Sequence, residues 1–419
     1  MTDVRAAVDS LSADPGGPNA AQTRGAVDPA STMSSNAAQT WDPQRLKRDR
    51  LHMLQDEMKL RDIGALYLTD QTNVRYALHE HVPGAEVFVP AEGEALGLIR
   101  SRDMGYVSRG HATVRPRFYD RAAFRTGTDP EQADRFVRGI SELMDEHGAR
   151  GAQIAVDGLP VDPLLALVAA DIRVIDASPL IEHVVTVKTP DEVALYRMLC
   201  ELDAHAIRRF RDALRPGVTE NELAGLVVTA WHEAGGEDIA QLNICAGENM
   251  NPWSRWPTDR PVKDGEFVGI DIHGRGTGGL RGDTSRTFFV GHSPTPEQRD
   301  LYRRAYEYIT EAVGVFRAGR WYGEVLEDLP PIAEQYQTRF ADYNPAHGVG
   351  LGSSGFPHIN PSRRGADETL KPNQVLAIEC YFGEVGSPLA VKLEEVICVR
   401  DGPPELLTGN VPFDEMLAP

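Results

Sequence analysis

The strongest constraint on the fold is a layout that occurs twice between residues 190 and 400. Thr189-Pro190-Asp191-Glu192 is a capping box with proline at the first helical position, and it predicts a long helix to about Leu214. Arg215-Pro216-Gly217 stops that helix. Thr219-Glu220-Asn221-Glu222 is a second capping box and opens another helix, to about Ala234. Strands NICAG, EFVGIDIHG and TSRTFFVG follow. The segment EQRDLYRRAYEYITEAVGVFRAGRWYGEVLEDL repeats the order helix, Arg-x-Gly break, helix, with strands after it at VLAIECYFG and LEEVICV. The region is an internal repeat at low sequence identity. Two helix–helix–strand halves of this kind would set acidic strand residues around one central cleft.

Five residues here are candidate metal ligands: Asp271, Asp283, His347, Glu379 and Glu394. Asp271 lies on the predicted strand EFVGIDIHG, and Asp283 starts the next. A hairpin closed by the glycine-rich loop from Gly274 to Gly282 would bring the two aspartates face to face across its mouth. A carboxylate inside an apolar strand is costly to bury without a partner. His347 precedes Gly348-Val349-Gly350, small residues that let a backbone pass close to a metal centre. Glu379 and Glu394 sit in apolar strand context. Glu395 competes for the second position: Glu394 shares its strand face with Val396 and Lys392, Glu395 faces the other way, and alternation alone does not choose. Carboxylates with an imidazole suit Mn, Fe, Co or Zn. Two such ions a few ångströms apart polarise a substrate and activate a water, so the chain reads as a two-metal enzyme. Gly274-Arg275-Gly276-Thr277-Gly278-Gly279 also matches G-x-G-x-x-G, but a dinucleotide site needs a helix immediately afterwards. A strand is predicted there, which makes this a hairpin loop.

Residues 1–39 are rich in Ala, Gly, Ser, Asp, Pro and Thr with few large apolar groups, which predicts a disordered tail. Met33 is an alternative start. From Trp41, Leu46, Arg50, Leu51, Leu54, Met58 and Leu60 fall at near-helical spacing after Asp42-Pro43. ALYLTD (65–70), AEVFVP (85–90) and QIAVDG (153–158) read as strands that alternate with helical stretches such as PEQADRFVRGISELMDEHG. This predicts an α/β layer domain over residues 40–188, ahead of a catalytic domain over 189–419. A net charge of −19 argues against a nucleic-acid partner. No apolar run is long enough for a membrane span, and no signal core is present. Cys200, Cys245, Cys380 and Cys398 form no C-x-x-C pair, which fits a reducing, cytoplasmic setting.

In this order the motifs resemble the pita-bread metalloenzymes: methionine aminopeptidase, Xaa-Pro aminopeptidase, prolidase and creatinase. The resemblance covers most of the chain from about residue 41, with the C-terminal half the specific part. It implies an α+β fold, with a pita-bread C-terminal domain of two pseudo-symmetric halves behind an α/β creatinase/prolidase-type domain. It implies Asp271, Asp283, His347, Glu379 and Glu394 as ligands of two divalent ions, with Asp283 and Glu394 bridging. The pattern Lys392-Leu393-Glu394-Glu395 selects Glu394. A small-molecule or short peptide-like substrate and a homodimer are also implied.

Within the family, the spacing of Asp271 and Asp283 resembles the dimethylsulfoniopropionate (DMSP) lyases. So do Asn251-Pro252-Trp253, Gly383-Glu384-Val385-Gly386 and Pro412-Phe413-Asp414. The departures are informative. Peptide-cleaving members carry histidines where Tyr343 and Ser354 stand. The lyases carry aspartates where Ser353 and His273 stand, the first being their base. His273 shares a strand face with Asp271, and could bind a metal, orient the substrate or sit at the loop rim. His358, in GFPHINPSR, could enter the cleft on a loop as a general acid, or remain a surface residue. Trp253, Arg255 and Trp256 could hold a cationic head group or pack between domains. Trp253, Arg255, Tyr343 and Ser353 are the substrate-binding candidates.

The expected activity is dinuclear-metal hydrolysis of a C–N bond, amide or peptide type, in a small polar, Xaa-Pro-like substrate. Glu379 would shuttle the proton, and His273 or His358 would steady the oxyanion. The alternatives are a DMSP-type lyase that breaks a C–S bond by α-proton abstraction, which Ser353 opposes, and a metal-free creatinase-like enzyme or binding module, which the five retained ligands oppose.

Overall fold

The computed structural model describes residues 41–103, 113–120, 131–333, 336, 345–352, 355–363 and 368–419. The expected tail, Tyr343, Ser353 and Ser354 lie outside the described residues.

Helix α1 (Pro43–Leu60) starts where the sequence predicts, because the Asp42 carboxylate accepts from the Gln44 and Arg45 amides. Leu46, Leu51, Leu54 and Met58 bury its apolar stripe, whereas Leu60 is 82% exposed because it falls off that stripe. Strand β1 (Ile63–Leu68) starts two residues earlier than expected and stops before Asp70. Asp70 caps helix α2 (Gln71–Leu78) instead of extending the strand. Strands β2 (Glu86–Pro90), β3 (Leu96–Ile99), β4 (Thr113–Pro116), β5 (Gln153–Val156) and β6 (Val174–Asp176) complete a mixed sheet of order β4-β3-β2-β1-β5-β6. Alternation along β1 sends Leu66 and Leu68 to the core under α1, and Ala65 and Tyr67 to the core under helix α3 (Gln132–Glu146). Helices α4 (Val161–Ala169) and α5 (Ser178–Thr186) complete this layer.

Both predicted capping boxes form. Thr189 opens α6 (Pro190–Ala213), and Thr219 opens α7 (Glu220–Glu233), each with reciprocal side-chain and backbone bonds. A third, Thr295-Pro296-Glu297-Gln298, opens α8 (Pro296–Val313) and mirrors the first. Helix α9 (Tyr322–Asp328) follows. The Arg-x-Gly break is one joint used twice. Gly217 and Gly319 take left-handed φ values of 90° and 84°, which favour glycine. The Gly217 amide donates to the Val262 carbonyl at 2.8 Å, and the Gly319 amide donates to the Leu370 carbonyl at 2.8 Å.

The first half contributes strands β7 (Asp238–Ala246), β8 (Glu266–Arg275) and β9 (Thr284–Val290), in sheet order β7-β8-β9. The second contributes β10 (Ala346–Gly348), β11 (Gly355–Ile359), β12 (Val375–Phe382), β13 (Val391–Cys398) and β14 (Glu405–Leu406), in order β11-β10-β12-β13-β14. The G-x-G-x-x-G segment is the β8–β9 hairpin loop, and a strand follows it as predicted. Strands β9 and β13 run alongside each other and are stitched by side chains: Thr287 Oγ1 donates to the Lys392 carbonyl at 2.9 Å and accepts from the Lys392 amide at 3.0 Å. No helix among the described residues is long and apolar enough to cross a membrane.

Candidate metal centre

The seam between β9 and β13 brings all five candidate ligands together. Asp271 comes from β8, Asp283 from the residue before β9, His347 from β10, Glu379 from β12 and Glu394 from β13. Cross-strand register pairs Glu379 directly with Glu394. In the first half the corresponding pair is Asp271 and Ser285. By strand register Asp283 falls opposite His273 rather than Asp271, yet the two aspartates converge as expected, with ligand atoms of Asp271, His273 and Asp283 all within 4.8 Å of one another. The His273 ring touches both carboxylates: Nδ1 lies 3.1 Å from Asp283 Oδ1, and Nε2 lies 3.3 Å from Asp271 Oδ1.

His347 is held as a directed nitrogen donor. Its Nδ1 lies 3.2 Å from the Gly348 carbonyl oxygen, which turns Nε2 inward. That Nε2 lies 3.6 Å from Asp283 Oδ2, 3.6 Å from Glu379 Oε1 and 4.0 Å from Glu394 Oε1. Gly348 serves strand packing rather than a metal approach, since a Cβ there would lie 2.1 Å from the Phe356 carbonyl oxygen.

Two triads can each hold an ion, Asp271–His273–Asp283 and Asp283–His347–Glu394, and Asp283 is common to both. Among the described residues, Asp271 Oδ1, both His273 ring nitrogens, Asp283 Oδ1 and Glu394 Oε1 are buried with no aligned hydrogen-bond partner. Orphaned donors and acceptors this concentrated fit a centre completed by cations. Glu379 is the most open of the five, with its side chain 20% exposed.

Lys392 is a residue of this cluster that ligand patterns miss. Its Nζ reaches Asp271 Oδ2 at 3.1 Å, Glu379 Oε2 at 3.3 Å and Glu394 Oε2 at 3.4 Å, and donates to Ser285 Oγ at 2.7 Å. The available signal was its strand face, shared with Glu394. Asn243, paired with Asp271 across β7 and β8, donates to Asp271 Oδ2 at 3.0 Å. Burial opposes ionisation of Asp271, yet Lys392 and His273 hold its carboxyl well below the usual range. Glu379 is also lowered: burial opposes this, and Lys392 and His347 outweigh it. Glu394 goes the other way, pushed well up by burial and by Asp283. Burial disfavours the charged imidazoles, but Asp283 and Asp271 raise His273 to about 11, and Glu379 and Asp283 raise His347 to about 9. Protons thus supply the positive charge that bound ions would otherwise bring.

A model of metallopeptidase family M24 matches residues 194–401. Over 397 residues the chain is 28% identical to the dimethylsulfoniopropionate lyase DddP of Roseovarius nubinhibens, spanning 90% of this chain and 88% of that one. The chain belongs to metallopeptidase family M24. This M24 chain is also 26% identical over 204 residues to the methionine aminopeptidase of Chlamydia trachomatis, spanning 46% of this chain and 69% of that one. Its fold is that of the prolidases: an Xaa-Pro dipeptidase from Bacillus anthracis superposes with a TM-score of 0.73 at 18% identity, over 89% of this chain and 100% of that chain. The α+β pita-bread architecture with its N-terminal layer is thereby confirmed.

The remaining candidates in this M24 chain are placed as follows. Glu395 lies on the opposite face from the centre, 2.8 Å from Arg286 Nη2, so the strand face itself singles out Glu394. His358 lies on strand β11 rather than on a loop, directly opposite His347, so the two side chains share a sheet face. Trp253 stands edge-on to Tyr381 with Lys392 Nζ 6.0 Å from its ring centroid, at the border of the centre. Arg255 is exposed and Trp256 is 77% exposed. The subgroup motifs brace the scaffold: Asn251 Nδ2 donates to the Glu384 carbonyl at 2.8 Å, Phe413 underlies the Arg286 guanidinium at 4.2 Å, and Asp414 accepts from the Phe289 amide at 2.8 Å.

Proposed function

We propose that this M24 chain is a dinuclear-metal hydrolase that cleaves a C–N bond in a small polar substrate of Xaa-Pro type. The observation that carries this reading is Asp283, whose two oxygens face two different histidines and so can serve two ions at once. Asp271, Asp283, His347, Glu379 and Glu394 would hold the ions. When bound, they supply Lewis-acid polarisation of the scissile carbonyl and an acidified water. Glu379, the most open ligand, takes a proton from the attacking water and returns it to the leaving nitrogen as the C–O bond forms and the C–N bond breaks. His358 shares the sheet face of His347 and donates to the developing oxyanion. Trp253 walls the substrate side, and Lys392 balances the carboxylates. A homodimer supported by the N-terminal layer is part of this proposal.

The 28% identity to DddP over most of both chains favours a second reading, a DMSP-type lyase. The base such a reaction needs is the aspartate that Ser353 replaces, and a serine has no useful pKa near neutrality. One experiment separates the two. The metal-loaded chain is incubated with Xaa-Pro dipeptides and other small amides, and separately with DMSP. Free amine released from the amides, abolished in Glu379→Gln, supports the hydrolase. Acrylate and dimethyl sulfide from DMSP, with no amide turnover, support the lyase.

A further inference from the structure

We propose that His273 is a sixth ligand, so that each of the two ions has one imidazole of its own and the centre selects ions that favour nitrogen. This rests on the two-metal reading above and adds a residue and a selectivity to it. The argument starts from burial. His273 is 7% exposed, and neither ring nitrogen has an aligned hydrogen bond, although each lies within 3.3 Å of a carboxylate oxygen. The two oxygens it approaches, Asp271 Oδ1 and Asp283 Oδ1, are themselves buried and unpartnered. Four orphaned polar atoms in contact are costly in a dry site unless something joins them.

An ion together with one hydrogen bond accounts for all of them. One ring nitrogen donates its lone pair to the ion beside Asp271 and Asp283. The other keeps its proton and donates to the remaining carboxylate, as metal-bound imidazoles commonly do. His273 is placed for this by the strand. It shares the Asp271 face two residues on, and backbone pairing with Gln241 fixes its height on β8. The two triads then match, each with one imidazole and sharing Asp283. Nitrogen donors favour Zn, Co, Fe and Ni over Mg and Ca. The subsite around Asp271 should therefore hold its ion against millimolar magnesium.

The test uses cobalt(II) with the full chain, wild type and His273→Gln, read by binding and by NMR. Cobalt shifts the N–H protons of bound imidazoles far outside the normal window. Wild type is expected to bind about two ions per chain and to show two exchangeable shifted N–H signals, from His347 and His273. His273→Gln is expected to keep one signal and one tight ion, and to bind the second at least about 100-fold more weakly, with magnesium displacing it. A single shifted signal in the two-cobalt wild type, or two ions held equally well in both proteins, overturns the proposal while leaving the two-metal centre standing. No cobalt bound by wild type, before or after reconstitution, overturns the two-metal reading and this proposal with it. The signal count comes from wild type alone, so it stands even if the glutamine variant fails to fold.

Discussion

Ser285 holds in the first half of the repeat the place that Glu394 holds in the second, and the two side chains meet. Ser285 pairs with Asp271 as Glu394 pairs with Glu379, and Ser285 Oγ donates to Glu394 Oε2 at 2.8 Å. The same hydroxyl accepts from Lys392 Nζ. The repeat has become asymmetric where it matters, with a carboxylate on one side and a hydroxyl that orients it on the other. Ser285→Ala is expected to leave the fold intact and to weaken ion binding about 10–100-fold, as loss of an outer-shell partner does. Titration calorimetry with cobalt or manganese measures this.

Asp283 is common to both triads, so Asp283→Asn should affect both ions. Elemental analysis is expected to fall from about two ions per chain to fewer than one. Turnover should drop by well over about 100-fold, since even an outer-shell loss can cost that much.

Lys392 carries the positive charge nearest to three carboxylates. In Lys392→Met the ion-free protein is expected to lose roughly 3–5 kcal/mol, the cost of leaving buried charge unpaired. Bound ions compensate the same carboxylates, so the loss should shrink in the metal-loaded protein. Urea midpoints with and without chelator check both halves of this prediction.

A pH dependence follows from Lys188, which is none of the candidate ligands. Its ammonium is buried, donates to the Val185 carbonyl at 2.5 Å and sits 5.9 Å from the Tyr196 ring centroid. Burial lowers it from 10.5 to about 8, with Glu192 opposing. Between those values the unfolded chain binds the proton and the folded chain does not, so stability rises with pH across that window. The rise should reach roughly 3 kcal/mol and be absent in Lys188→Met. Urea midpoints from pH 8 to 10.5 in both proteins measure the difference.

Much of this architecture is legible in the sequence because local chemistry dictates it. Thr189 and Thr219 start helices wherever their capping partners stand three residues on, and Gly217 and Gly319 mark the joints. Asp271, Glu379 and Glu394 stand out because carboxylates in apolar strands need a reason. What local patterns do not carry is register across a loop and contact across the seam. The β8–β9 hairpin sets His273 opposite Asp283 in register, which brings its imidazole between the two aspartates, and only the strand pairing shows it. His358 reads as loop because a proline precedes it. It is in a strand because β11 is the sheet edge, where a missing amide donor is tolerated. Lys392 lies on the right face in the sequence, but its reach to three carboxylates of both halves depends on how β9 meets β13.

Arg50 ties the first helix of the described chain to the centre. It is fully buried, its Nε lies 2.9 Å from Glu192 Oε1, and its Nη1 donates to the Gly278 carbonyl at the tip of the β8–β9 loop at 3.0 Å. That loop spaces Asp271 and His273 from Asp283. The part of the chain that supplies every candidate ligand therefore takes one restraint on its loop from outside itself. A graft or truncation that begins at residue 189 cuts the guy-rope on the loop that sets the ligand spacing.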